Sequence, residues 1–120
     1  MVLGFKKQFV KKIKDGSKIH TIREDKHDRW KEGNTIHFAT GVRTKKYKQF
    51  IGGQCISTQN IEIKHLPTGI SIKIDGKELG GFYELHKLAV NDGFDGIDSF
   101  YKWFNKDFSG KIIHWTALKY

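Results

Sequence analysis

Ile61-Glu62-Ile63-Lys64-His65-Leu66-Pro67-Thr68-Gly69-Ile70-Ser71-Ile72-Lys73-Ile74 carries the clearest periodicity in the chain. Ile61 and Ile63 alternate with charged residues, Pro67-Thr68-Gly69 has turn composition, and Ile70, Ile72 and Ile74 alternate again. A period of two puts these isoleucines on one side of two extended segments, which predicts an antiparallel hairpin with one buried face. Asp75-Gly76 supplies a further turn after it. Upstream, Phe50 to Leu66 reads as strand, long and bent at Gly52-Gly53, because paired glycines weaken a ladder and allow it to turn. Thr35 to Thr40 reads as another strand with Ile36 and Phe38 on one side, preceded by a polar loop from Asp25 to Asn34 whose one large aromatic, Trp30, reads as a core plug. Val2, Leu3 and Phe5 suggest a short first strand, and Lys111 to Thr116 a closing strand with Ile113 and Trp115 on one face.

Helical spacing appears in three places. Phe9, Val10 and Ile13 share a stripe opposite Lys7, Lys11, Lys12 and Lys14, and Asp15-Gly16 closes that short helix with a residue suited to a left-handed cap. Phe82, Leu85, Leu88 and Ala89 form a second apolar stripe, ended by Gly93. Ile97, Phe100, Phe104 and Phe108 form a third, with Asp95 or Asp98 as N-cap. The order β, α, several β, two helices, β predicts one α+β domain over residues 1–120, with many short strands arranged as a barrel rather than a wound βαβ sheet.

Composition narrows the partners. The hydrophobic fraction of 38% and the nine Phe, three Trp and four Tyr are enough for a packed core, so the charge decorates a folded body. The formal charge is +9, and residues 1–50 hold all of it, with 14 Lys/Arg against 5 Asp/Glu. Residues 51–120 hold eight of each sign. Such asymmetry favours phosphates or another anionic surface, and a solubilising lysine coat is the plain alternative. Cys55 is the only cysteine, and the six histidines show no ligand spacing, so neither an internal disulfide nor a bound metal or cofactor is expected. Met1 to Phe5 is too short for a signal-peptide core, and no apolar run approaches the ~18 residues of a membrane span. These features point to the cytoplasm, and the oligomeric state is not legible.

The chemistry concentrates in Gly16-Ser17-Lys18-Ile19-His20-Thr21-Ile22-Arg23-Glu24. A regular strand would put Thr21 and Arg23 on one face and Lys18, His20 and Ile22 on the other. Lys18 reaches the Thr21 side only if it belongs to the turn after Gly16, or if a bulge intervenes. A cation, a hydroxyl and a guanidinium would then converge, which suits a phosphate or a carbonyl oxygen. His20 reads as a strand-surface or barrel-wall histidine. Arg43, Lys45, Lys46 and Lys48 surround Tyr47 in a loop from Gly41 to Gln49, where stacking plus phosphate neutralisation would suit single-stranded RNA. A mobile, solvated loop is the equal alternative there.

Gly-x-Lys-x-x-Thr-x-Arg after a short N-terminal helix resembles the signature of ASCH domains, which are PUA-like β-barrels. Trp30 and Gly33 before the Thr35–Thr40 strand, and Phe94, Phe100, Trp103 and Phe104 late in the chain, agree with it. The resemblance implies a PUA-like barrel with a short N-terminal helix and two helices before the last strand. It also implies a cleft that takes RNA or a nucleobase. Some small bacterial members of that family are amidohydrolases of N4-acetylcytidine, with a threonine nucleophile, a lysine that activates it and an assisting glutamate. By motif position Lys18 and Thr21 match. The carboxylate falls to Asp92, one methylene shorter than the family's glutamate, with Glu84 as competitor; a plain helix-end role is the other reading of Asp92. A nearby carboxylate decides whether Lys18 acts as a base or as an ion-pair partner.

Three functions follow as expectations: a domain binding RNA or a modified nucleoside through Lys18, Thr21 and Arg23 with the 41–48 loop as flank; an amidohydrolase using Lys18, Thr21 and a carboxylate; and an adaptor that docks a protein partner in the same cleft. The enzyme needs a carboxylate beside Lys18, the RNA binder needs mainly the basic surface, and the adaptor needs neither.

Overall fold

The computed structural model describes Met1–Tyr120. Its elements are β1 (Val2–Gly4), a 3-10 turn (Lys7–Phe9) leading into α1 (Val10–Asp15), β2 (His20–Arg23), β3 (Thr35–Thr40), β4 (Lys48–Gln54), β5 (Ser57–Leu66), β6 (Gly69–Ile74), β7 (Lys77–Glu78), α2 (Gly81–Asn91), α3 (Ile97–Trp103) and β8 (Phe108–His114). The hairpin read from the isoleucines is β5–β6, in the register Ile61 opposite Ile74 and Ile63 opposite Ile72. All four of those side chains are buried, as a one-faced alternation requires.

The strands do not close into a barrel. They form two separate open sheets, ordered β1-β3-β4 and β2-β8-β5-β6-β7. The barrel expectation, and with it the PUA-like architecture, is therefore corrected. Phe50 to Leu66 is not one bent strand that would carry pairing from sheet to sheet. The chain breaks at Cys55-Ile56, and β4 and β5 belong to different sheets. At that corner each sheet ends with its own backbone bond, Cys55 N to Asn34 O (2.8 Å) beyond the β3–β4 pair and Ile56 N to His114 O (2.8 Å) beyond the β5–β8 pair. The outer edges explain why closure stops. Strand β4 is almost wholly solvent-facing and carries Lys48, Gln49 and Gln54, while β7 is two residues long. Short or polar edges are how open sheets avoid further pairing.

Aromatic packing joins the layers. Trp115, just past β8, meets Phe38 of β3 at 4.8 Å between ring centres and Phe5 at 6.2 Å. Phe94, Phe100 and Phe104 cluster at the α2–α3 end, and Phe9 joins them through Phe94. Two helical expectations change here. Phe82 is 74% exposed and stacks on His86 rather than entering the core; only Leu88 and Ala89 of that stripe are buried. Phe108 opens β8 instead of extending α3, whose cap is Gly96 with no side-chain bond from Asp95 or Asp98. Asp95 pairs with Lys12 (2.9 Å), which satisfies it elsewhere.

In the larger sheet β8 lies between β2 and β5, pairing with β5 along its whole length and with β2 over Lys111–His114. Ile112, Ile113 and His114 are all buried, so this strand is covered on both faces and shows no alternation. Ile112→Ala is expected to lower unfolding free energy by about 2–5 kcal/mol in urea titration, the usual cost of emptying a core isoleucine. Ile51→Ala, on solvent-facing β4 where the side chain is 39% exposed, should change it by about 0.5 kcal/mol at most.

Candidate functional site

Lys18 does belong to the turn after Gly16. Helix α1 ends with Gly16 in the left-handed region (φ 85°), and Lys18 N then bonds back to Lys12 O (2.9 Å). Ile19 N bonds to Asn91 O (2.9 Å), which fastens the entry of β2 to the end of α2. This routing turns Lys18 toward the same side as Thr21 and Arg23. All three line a cleft of about 380 Å³. Its walls are aromatic, with Phe5, Phe9, Phe94, Trp103 and Phe104, and Asp92 lies in it beside Lys18.

The Lys18 side chain is only 2% exposed. Its ammonium donates to His20 O (2.9 Å) and Asp92 O (2.5 Å) and faces Asp92 Oδ1 at 3.5 Å. The rings of Phe9 and Phe5 lie 5.0 and 5.7 Å from it. Burial pulls the Lys18 ammonium from its ordinary 10.5 down to about 8; Asp92 opposes that shift and Arg23 adds to it. Arg23 donates through Nη2 to Gly4 O (2.6 Å) and through Nε to Thr21 Oγ1 (3.4 Å), and its plane lies 4.9 Å from the Phe5 ring. Burial lowers the Arg23 pKa as well. At the rim, Lys6 sits 4.9 Å over the Trp103 ring, a cation–π contact beside a half-exposed indole.

Asp92 is the carboxylate of this site. It follows α2, is 3% exposed, and accepts from His20 Nδ1 (3.0 Å) as well as facing Lys18. Glu84, the alternative carboxylate, is exposed on α2 and does not line the cleft. Gly93, at φ 95°, leaves no room for a side chain: a Cβ there would meet Lys18 Cδ at 2.8 Å and Phe9 Cδ1 at 2.9 Å. Arg43, Lys45, Lys46, Tyr47 and Lys48 are exposed and outside the cleft, although Gly41 and Val42 at the root of their loop line it. That loop is folded on itself: Thr44 donates to Gly41 O from both N (3.0 Å) and Oγ1 (2.6 Å), and Tyr47 N bonds to Thr44 O (3.3 Å).

Three participants were not legible in the motif. His20 is fully buried, bonded to Asp92 on one side and to the Tyr120 hydroxyl on the other (2.5 Å). Asn91 Nδ2 donates to the same hydroxyl (3.0 Å). Behind them, Gln59 grips the Tyr120 backbone with both amide atoms and accepts from His114 Nε2 (3.0 Å). No group of three or more metal-ligating side chains is present, and no helix is long and apolar enough to cross a membrane. Comparison with protein-family models, curated proteins and solved structures gave no match.

The buried cation and histidines tie stability to pH. Between about 8 and 10.5 the unfolded chain keeps the Lys18 proton that the folded chain has lost, so stability rises with pH across that window. Burial also lowers the His20 pKa and pulls His114 from 6.5 to about 4, so the unfolded chain binds more protons as pH falls through that range and stability falls with it. Urea titrations at stepped pH should show both limbs. Lys18→Met should erase the alkaline rise, on the order of 1–3 kcal/mol, and leave the acid loss in place.

Proposed function

We propose that the cleft is a binding site for a modified nucleoside, presented free or on an RNA strand. The observation that carries this reading is a cleft of about 380 Å³ in which aromatic walls surround Lys18, Thr21 and Arg23. Its size lies at the lower end of the ~300–1,000 Å³ typical of small-molecule sites, which suits one nucleoside. The rings supply stacking surface for a base, and the cations and the hydroxyl supply donors for carbonyl or phosphate oxygens. The charge surplus of the first 50 residues and the folded basic loop rooted at Gly41-Val42 support a neighbouring strand of nucleic acid.

A second reading, hydrolysis of an acylated nucleoside such as N4-acetylcytidine, is favoured by one contact. Asp92 Oδ1 stands 3.5 Å from Lys18 Nζ, giving the carboxylate that this chemistry requires and that a simple RNA binder does not. In this reading the neutral Lys18 amine takes the proton of Thr21 as its Oγ1 attacks the acetyl carbonyl. Arg23, with Nε directed at that oxygen, steadies the nucleophile and offers positive charge to the oxyanion. Lys18 returns the proton to the departing cytidine nitrogen, and a water then cleaves the threonine ester to acetate. The overall change is N4-acetylcytidine plus water to cytidine plus acetate. The motif resemblance to ASCH domains supports the same chemistry; the proposal rests on the residues and does not require a closed barrel.

Incubation with N4-acetylcytidine, read by cytidine release and by quenching of Trp103 fluorescence, separates the readings. Release that drops by ~10²-fold or more in Thr21→Ala and Lys18→Met supports hydrolysis. Quenching without release supports binding alone, and with RNA it should weaken steeply as salt rises and in Lys45→Glu/Lys46→Glu. Neither release nor quenching, by a folded protein with nucleoside or RNA, would overturn both.

A further inference from the structure

The hydrogen bonds behind Asp92 have a single consistent direction. An ionised carboxylate only accepts, so the 3.0 Å contact with His20 requires the proton on Nδ1. Nε2 is then an acceptor, and the Tyr120 hydroxyl donates to it at 2.5 Å. The same hydroxyl oxygen accepts from Asn91 Nδ2 at 3.0 Å. Asn91 and Asp92 are consecutive, so the chain of bonds leaves the end of α2, passes through Tyr120 and His20, and returns to the next residue. Every donor has an acceptor, and the neutral imidazole is held in one tautomer and one orientation.

Neither His20, Tyr120 nor Asn91 lines the cleft; only Asp92 reaches it from this group. We propose that His20 is a positioning residue of the cleft, which, backed by Tyr120 and Asn91, fixes the Asp92 carboxylate in the place where it faces the Lys18 ammonium. This rests on the reading of the cleft given above, because it assigns the control of the cleft's cation to a residue that touches no ligand.

The groups around the pair are few and named. Lys18 is faced by Asp92 from the end of α2, by Arg23 and His20 from β2, and by Lys12 from α1. His20 is faced by Asp92, Lys18 and Tyr120, and by His114 of β8 at 5.2 Å between ring centres. Asp92 Oδ1 divides its accepting capacity between the imidazole and the ammonium. With the imidazole N–H removed, the buried carboxylate keeps Lys18 as its ion-pair partner, with Arg23 as a further cation in the cleft, and must pair with Lys18 more fully. The ammonium form is then favoured, so Lys18 should hold its proton to higher pH.

The test follows the Lys18 side chain by NMR through a pH titration, with no substrate present. His20→Phe removes both ring nitrogens and should raise the midpoint of Lys18 by about one unit. His20→Asn restores an N–H near the Nδ1 position and should keep the midpoint close to that of the parent. Tyr120→Phe deletes a single oxygen, leaves Nε2 without its donor, and should move the midpoint in the same upward direction by less, in a variant that changes no packing volume of consequence. A purely structural role would lower the melting temperature of these variants and leave the Lys18 titration where it was. An unchanged midpoint in folded Tyr120→Phe and folded His20→Phe overturns the proposal. Because the titration uses no nucleoside, a failed binding or hydrolysis assay bears on the function of the cleft and not on this result.

Discussion

Taking the Lys18 ammonium out of water would cost several kcal/mol if it were left alone, and much of the surrounding structure is arranged to offset that cost. Two backbone carbonyls and one carboxylate receive it, and two phenylalanine rings close over it. Those partners come from β2, from the residue following α2 and, for the two rings, from the segment between β1 and α1. The charge therefore acts as the meeting point of segments 74 residues apart in sequence. Gly93 has to be glycine for the same reason, since the Lys18 methylenes occupy the volume where a side chain would begin. Breaking the arrangement by removing one partner leaves a buried charge, whereas removing the lysine leaves a carboxylate that still has His20.

The polar layer extends past the cleft into the larger sheet. Gln59 of β5 joins the Tyr120 backbone, the His114 ring and Asp75, so that one amide side chain serves three neighbours. This explains how β5 and β8 carry Gln59 and His114 at buried positions amid isoleucines. These bonds favour one register of the sheet and give Tyr120 a fixed place, with His114 Nδ1 and Ser57 Oγ left buried and unpaired beside them. Through Tyr120 these bonds are continuous with the His20–Asp92 contact.

Local pattern was legible in the chain, and closure was not. The alternating isoleucines from Ile61 to Ile74 state both the hairpin and its buried face, and Gly16 states where α1 stops. Whether strands close on themselves depends on which edges pair, and an edge such as β4 carries no periodicity that distinguishes an open sheet from a barrel. Phe82 misled because helical spacing marks a stripe without saying how far along it a neighbour reaches; packing ends at Leu85 and Leu88. In the site, Lys18, Thr21 and Arg23 could be named from motif and spacing, whereas Asp92 entered only as a candidate, beside Glu84, for the carboxylate that the ASCH resemblance implies. His20 reads from the sequence as a strand-surface or barrel-wall histidine, because alternation with Thr21 says only that it faces the other way. What it meets there, Asp92 reaching around from α2 and Tyr120 from 100 residues later, is a matter of tertiary contact.

The two readings of the cleft ask opposite things of Lys18. Binding a phosphate or a carbonyl oxygen uses the ammonium, while taking a proton from Thr21 uses the free amine. With its pKa lowered to about 8, Lys18 has the free amine more accessible near neutral pH than a solvated lysine does, with the charged form still favoured. Asp92 is what keeps it so, since burial and Arg23 both favour the neutral amine and the carboxylate alone among the close groups opposes them. A stronger hold by Asp92 would make the site a better anion binder and a poorer base; a weaker one would do the reverse. On the readings proposed for the cleft, the division of the carboxylate between His20 and Lys18 would set the balance between recognition and catalysis.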